Sequence, residues 1–270
     1  MKLCLITDKA DFAAEAESVG VDRIMVDLER KGKRQRQTGL DLFISNHVIE
    51  SVPRLKAALS SASLVVRINP LNSNSSEEIE TLIDAGADFL MLPFFHTVDE
   101  VRAFVSLVKG RAKTILLVET GTAVKVLPAF VSEKLGDEVH IGLNDLRISL
   151  NHRTIFEPIC NGMIDEISRL LRRENVPFGF GGIARLSRKD LPVAPERILG
   201  EQVRLGAGIG WLGRTFRGQM ETERQPEQLA YEINLIRNAI TKWQKASAGD
   251  FEENRKLLLQ EVATWEASLN

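Results

Sequence analysis

The chain has 270 residues, enough for one large α/β barrel or two small domains, and its 44% hydrophobic and 27% charged residues exclude a disordered chain. A formal net charge of −2 argues against general affinity for nucleic acid or an anionic membrane. The two cysteines, Cys4 and Cys160, argue against a disulfide scaffold at this size, and Cys4 in the apolar run Leu3-Cys4-Leu5-Ile6 reads as a buried thiol. No apolar run approaches the roughly twenty residues of a membrane helix, and Asp8 arrives too early for a signal peptide, so a cytoplasmic location is expected.

Taken in chain order, short apolar runs alternate with longer helical patterns. The runs are 2–6, 23–27, 64–68, 89–92, 114–119, 139–142, 177–181 and 207–212. Few of their positions alternate with polar residues, which is the pattern of parallel strands buried on both faces. Between them, Val101, Phe104, Val105 and Val108 recur at helical spacing behind a Thr97/Glu100 capping box, with Gly110 at the end. A second helix is expected from Ser75 to Gly86, with Glu78 near its start and Ile79, Leu82 and Ile83 facing inward. Another carries Met163, Ile164, Ile167, Leu170 and Leu171.

Eight strand–helix units in this length predict a single (β/α)8 TIM barrel spanning 1–270, with a doubly wound open sheet as the alternative. Residues 226–270 form a C-terminal helical extension. One helix carries Leu229, Ile233, Ile236, Ile240 and Trp243, the other Phe251, Leu258, Val262 and Trp265. The extra helix either pads the barrel end or docks on a neighbouring subunit, because its apolar stripe needs cover. Gly208-Ile209-Gly210-Trp211-Leu212-Gly213 spells the dinucleotide-binding glycine pattern, but it falls within the last strand rather than at a helix start.

In such a barrel the chemistry lies at the carboxyl ends of the strands. There the sequence places Asp27 and Glu29 after the second strand, Arg67 and Asn69 at the third, Glu119 at the fifth, and Asn144 and Asp145 after the sixth. Four acids at one mouth repel: two unit charges about 4 Å apart cost roughly 4 kcal/mol at an effective dielectric near 20. Such a group raises a pKa or recruits a cation. With oxygen ligands and no clustered cysteine or histidine, Mg²⁺ (or Mn²⁺) is the favoured ion.

The pieces Val26-Asp27-Leu28-Glu29, Val66-Arg67-Ile68-Asn69, Ala85-Gly86-Ala87-Asp88 with Leu92-Pro93, Val118-Glu119-Thr120 and Gly142-Leu143-Asn144-Asp145-Leu146 together resemble the HpcH/HpaI aldolase and citrate lyase β-subunit family. They occur in that family's order over residues 24–146, with a weaker match through 204–216. The resemblance implies a cytoplasmic, homo-oligomeric lyase (trimer or hexamer) that breaks a carbon–carbon bond of a hydroxylated oxo acid or an acyl-CoA thioester through an enolate. It implies metal ligation by Glu119 and Asp145, catalytic roles for Arg67, Asp27 and Glu29, and substrate contacts from Arg67, Asn69, Pro93 and Asn144.

Two positions depart from that family. Arg30 stands where its class II aldolases place a histidine, with His47 available from the next loop, and Phe94 follows Pro93 where the citrate-lyase-like branch often has lysine. Two other readings compete. One is a phosphoenolpyruvate-using transferase or mutase, whose phosphate would be held by the basic run Arg30, Lys31, Lys33, Arg34 and Arg36. The other is a non-catalytic assembly subunit that kept the barrel.

Overall fold

In the computed structural model, residues 1–30, 46–218, 220 and 225–269 are described. The parallel strands are β1 (Lys2–Ile6), β2 (Arg23–Asp27), β3 (Ser63–Arg67), β4 (Phe89–Leu92), β5 (Lys113–Val118), β6 (Glu138–Ile141), β7 (Phe178–Ile183) and β8 (Ile209–Leu212). They close a barrel in the order β1 to β8, so the closed fold is realised rather than the open sheet. The described helices are α1 (Ala10–Ser18), α2 (Ser51–Ala58), α3 (Ser75–Asp84), α4 (Val98–Val108), α5 (Gly121–Ser132), α6 (Leu143–Ser149), α7 (Glu157–Cys160), α8 (Met163–Arg173), α9 (Pro195–Leu205), α10 (Arg214–Arg217), α11 (Pro226–Gln244) and α12 (Ala248–Ser268). None of the described helices is long and apolar enough to cross a membrane. The chain forms two compact units, one of Cys4–His140 and one of Met1–Leu3 with Ile141–Asn270.

In the first unit, β2 and β4 are buried throughout, and β3 nearly so. That explains their unbroken apolar runs: a parallel strand covered on both faces has no solvent side to alternate with. The Thr97/Glu100 capping box forms on α4, and left-handed Lys109 and Gly110 turn the chain out of it. The start of α3 is built differently. Asn74 makes no side-chain cap, and Glu78 instead accepts the backbone and side-chain N–H groups of Asn69.

The same unit holds an ion pair that the apolar pattern conceals. Arg23 opens β2 and Glu138 opens β6, and they meet in a bidentate bridge of 2.5 and 2.7 Å with Arg23 only 2% exposed. The guanidinium also stacks 4.3 Å from the Phe89 ring centre. Beside it, burial pushes the Cys4 thiol up to about 12, so Cys4 is the inert buried thiol expected.

His140 is fully buried, and burial, followed by the charges of Arg23 and Arg67, holds its pKa well below the ordinary 6.5. The folded chain therefore refuses a proton that the unfolded chain accepts. Stability on this account is complete above pH 6.5 and is lost as pH falls below it toward the folded pKa. The expected slope in that window is about 1.4 kcal/mol per pH unit. Urea unfolding of wild type and His140→Gln at pH 5.5 and 7.5 (roughly one unit either side of the ordinary histidine value) checks it: the wild type should lose more on acidification than the variant.

In the second unit, β7 and β8 pack so closely that a Cβ on Gly179 would stand 1.9 Å from the Ile209 carbonyl oxygen. The glycines of 208–213 accordingly lie in and beside β8, not at a nucleotide-binding turn. Leu229, Ile233, Ile236, Ile240 and Trp243 of α11 are all buried, as their spacing requires. Helix α12 is covered by α9 through polar ties: Glu261 binds Ala194 N–H and Arg197, Asn254 donates to the Arg197 carbonyl, and Arg255 pairs with the fully buried Glu201. Gly200 permits this approach, since a Cβ there would meet Trp243 at 2.9 Å and Asn254 at 2.8 Å.

Candidate active site

The core of the site is made by strand register. Asp27, last in β2, stands opposite Arg67, last in β3. Their side chains form a fork-on-fork pair, Nε to Oδ1 at 2.9 Å and Nη2 to Oδ2 at 2.7 Å. Glu29 lies 3.5 Å from Nη1 of the same guanidinium, and its backbone N–H donates to Asp27 Oδ1 at 3.1 Å. Glu119, immediately after β5, adds its charge to the field at Arg67. Asp27, Glu29, Arg67 and Glu119 are 4%, 1%, 8% and 2% exposed. Burial works against the guanidinium charge, but these carboxylates outweigh it and keep Arg67 charged far above any physiological pH. Three carboxyl groups thus share these buried surroundings with one guanidinium.

The loops around this cluster are tied to it. Arg30 N–H donates to Asn69 Oδ1 at 3.0 Å while Asn69 Nδ2 donates to Glu78, so Asn69 bridges the ends of β2 and β3 to α3. His47 is buried, and its Nδ1 accepts the Asp27 backbone N–H at 3.1 Å. That bond requires Nδ1 to be unprotonated, so a neutral ring carries its proton on Nε2, which lies 3.9 Å from Asp8. Arg30 Nη2 clamps the His47 carbonyl at 2.8 Å. The lysines and arginines at 31, 33, 34 and 36 lie outside the described residues.

Pro93 is buried just beyond β4, and Phe94 after it has φ 50°. The Phe94 N–H donates to Glu119 Oε1 at 3.0 Å. Thr120 caps α5 by accepting the Ala123 N–H, so Glu119 is not spent on that cap. In the second unit, Asn144 and Asp145 lie half-buried in the first turn of α6, where Gly142 supplies no side-chain cap. An acid is favoured at such a helix start by the exposed amides.

The structure thus brings Asp27, Glu29, Arg67 and Glu119 together. From the sequence, His47 is a candidate from the next loop and Phe94 only a departure after Pro93, while Asp8 carries no site signal. The signal for Phe94 was that it is the first residue with an N–H after a strand-ending proline.

A buried acid cluster at the carboxyl ends of a parallel β/α barrel defines the class of barrel enzymes whose chemistry sits at that rim. The sequence matches the HpcH/HpaI aldolase/citrate lyase family over residues 2–156, more than half of the chain, and the chain belongs to that family. Carbon–carbon lyase chemistry is the family's activity class, and its members are generally dependent on a divalent metal. Among solved structures, an HpcH/HpaI aldolase from Desulfitobacterium hafniense DCB-2 is similar, with a TM-score of 0.62 at 18% identity over 83% of this chain and 90% of that one. At that identity the likeness concerns the fold. No curated protein matches the chain.

Proposed function

We propose that this chain is a Mg²⁺- or Mn²⁺-dependent lyase that cleaves a hydroxylated oxo acid or an acyl-CoA thioester in a retro-aldol or retro-Claisen manner. The observation that carries this reading is the convergence of Asp27, Glu29 and Glu119 on Arg67 in buried surroundings. Grouped buried acids of this kind are a setting in which a divalent cation is recruited.

Glu119 and Asp145 would hold the cation. Their hard oxygen donors fit it, and a two-carboxylate Mg²⁺ site leaves its other positions to water and substrate. Among the described residues no group of three or more histidine, cysteine, aspartate or glutamate side chains is gathered as a cage, and a two-carboxylate site requires none. When bound, such an ion polarises a substrate carbonyl as a Lewis acid.

The protein's own groups do the rest. Asp27 takes two of the five N–H donors of Arg67 and sets the plane of the guanidinium. Arg67 then meets the negative charge that develops on the substrate oxygen as the bond breaks. Glu29, beside it, holds a water or moves a proton, while Asn69, Pro93 and Asn144 shape the substrate's seat.

Calorimetric titration of metal-stripped protein with Mg²⁺ and Mn²⁺, with and without pyruvate or oxalate, tests the reading. Binding should strengthen with the oxo acid and vanish in a Glu119→Ala, Asp145→Ala double variant. Absence of binding by the wild type would remove the mechanism.

A further inference from the structure

We propose that Phe94 is a positioning residue for Glu119 and acts through its backbone rather than its ring. The inference rests on the reading of Glu119 as a metal ligand. Pro93 has no N–H, so Phe94 is the first residue beyond β4 that can donate one. Its φ of 50° lies in the left-handed region, where a bulky residue is a genuine outlier. This conformation directs the Phe94 N–H to Oε1 of Glu119 at 3.0 Å, a charge-assisted bond to a carboxylate that is 2% exposed.

The surroundings hold the strained residue in place. Three successive residues of the β4 loop are stitched to the start of α5: Phe94 to Glu119, Phe95 through its carbonyl to Thr120 Oγ1 at 3.4 Å, and His96 through Nδ1 to Thr122 Oγ1 at 2.6 Å. Phe95 is buried edge-on against Phe130, and the Phe94 ring stands edge-on to the His96 imidazole with centres 4.9 Å apart. The His96 backbone N–H is bound by Glu100 at 2.7 Å, which fixes the far end of the loop to α4. A strained conformation persists only when its environment over-determines it, and such residues gather where function needs a group held in advance. Here the group held is the Glu119 carboxylate, whose rotation is set before a cation arrives. Outer bonds of this kind typically change metal affinity 10–100-fold when lost.

The test is a series at position 94 read by Mn²⁺ titration, using electron paramagnetic resonance of the unbound ion, beside thermal melts. Phe94→Gly and Phe94→Asn tolerate left-handed backbone and keep the N–H, so each should stay within about threefold of wild-type affinity. Phe94→Val, β-branched and poorly tolerant of positive φ, should lose at least about tenfold. If Phe94→Val does not fold, Phe94→Ala replaces it and should fall between the two groups. A merely structural role would move the melting temperature across the series and leave Mn²⁺ affinity flat, which would overturn the proposal. A loss in Phe94→Gly equal to that in Phe94→Val would overturn it too, by assigning the effect to the ring. Failure of the wild type itself to bind Mn²⁺ would instead strike the metal reading on which this inference stands, and a flat series in a protein that does bind leaves that reading intact.

Discussion

Arg67→Lys should fold with nearly wild-type stability and lose about 10²–10³-fold in kcat/KM, the usual cost of removing one donor aimed at developing negative charge. Lysine keeps the positive charge that Asp27 and Glu29 need, but not the planar fork that meets Asp27 through two parallel bonds. Arg67→Met separates the two roles of the residue. It leaves Asp27 and Glu29 buried beside an apolar side chain, and breaking a buried pair by removing one partner costs about 3–5 kcal/mol. Lysine should therefore report on chemistry and methionine on stability as well. Thermal melts of both variants, with oxalate titration as a measure of anion recognition, check this. Full activity in Arg67→Lys would show that only the charge matters.

An equally large expected effect on stability lies at the opposite strand ends. Arg23→Met would strand Glu138 without the bidentate partner it now has, at a cost of about 3–5 kcal/mol. The Phe89 ring now under the guanidinium would keep an apolar neighbour in methionine, so most of the loss should be electrostatic. The double variant Arg23→Met, Glu138→Met should recover much of it, because a buried ion pair replaced by apolar groups of similar volume is often neutral. Urea unfolding of the two single variants and the double one closes this cycle. A double variant as unstable as the sum of the singles would show that packing rather than charge holds the pair.

How far these features were legible in the sequence follows from the separation at which each is determined. The strands were legible because parallel strands covered on both faces must be apolar throughout, and the expected runs fall on β1 to β8 with ends shifted by a residue or two. The α4 start was legible because Thr97 and Glu100 satisfy each other's backbone within one turn. The Arg23–Glu138 bridge was not, since its partners lie 115 residues apart and each reads locally as a polar residue at a strand edge. Asp27, Glu29, Arg67 and Glu119 were found as candidates because each lies at or just beyond a strand's carboxyl end, where a charge has no packing reason to be. That Asp27 rather than Glu29 takes the fork of Arg67 depends on strand register, which composition does not reveal. The backbone role of Phe94 was illegible for a different reason: a phenylalanine carries no local preference for left-handed backbone, so its identity does not announce the turn it makes.

The first residues of the chain fold with its last half. Lys2 N–H donates to the Gly208 carbonyl, and Arg237 donates to the Met1 carbonyl across 236 residues. A ribosome adding about 5–20 residues each second would need roughly 10–50 s to make Arg237 after Met1. For most of that interval the opening strand has left the exit tunnel while β8 (Ile209–Leu212) is still unmade. The nascent chain must therefore carry an apolar β1 whose backbone groups on that side await their partner, and it is in this window, more than in the finished molecule, that a chaperone would be of use.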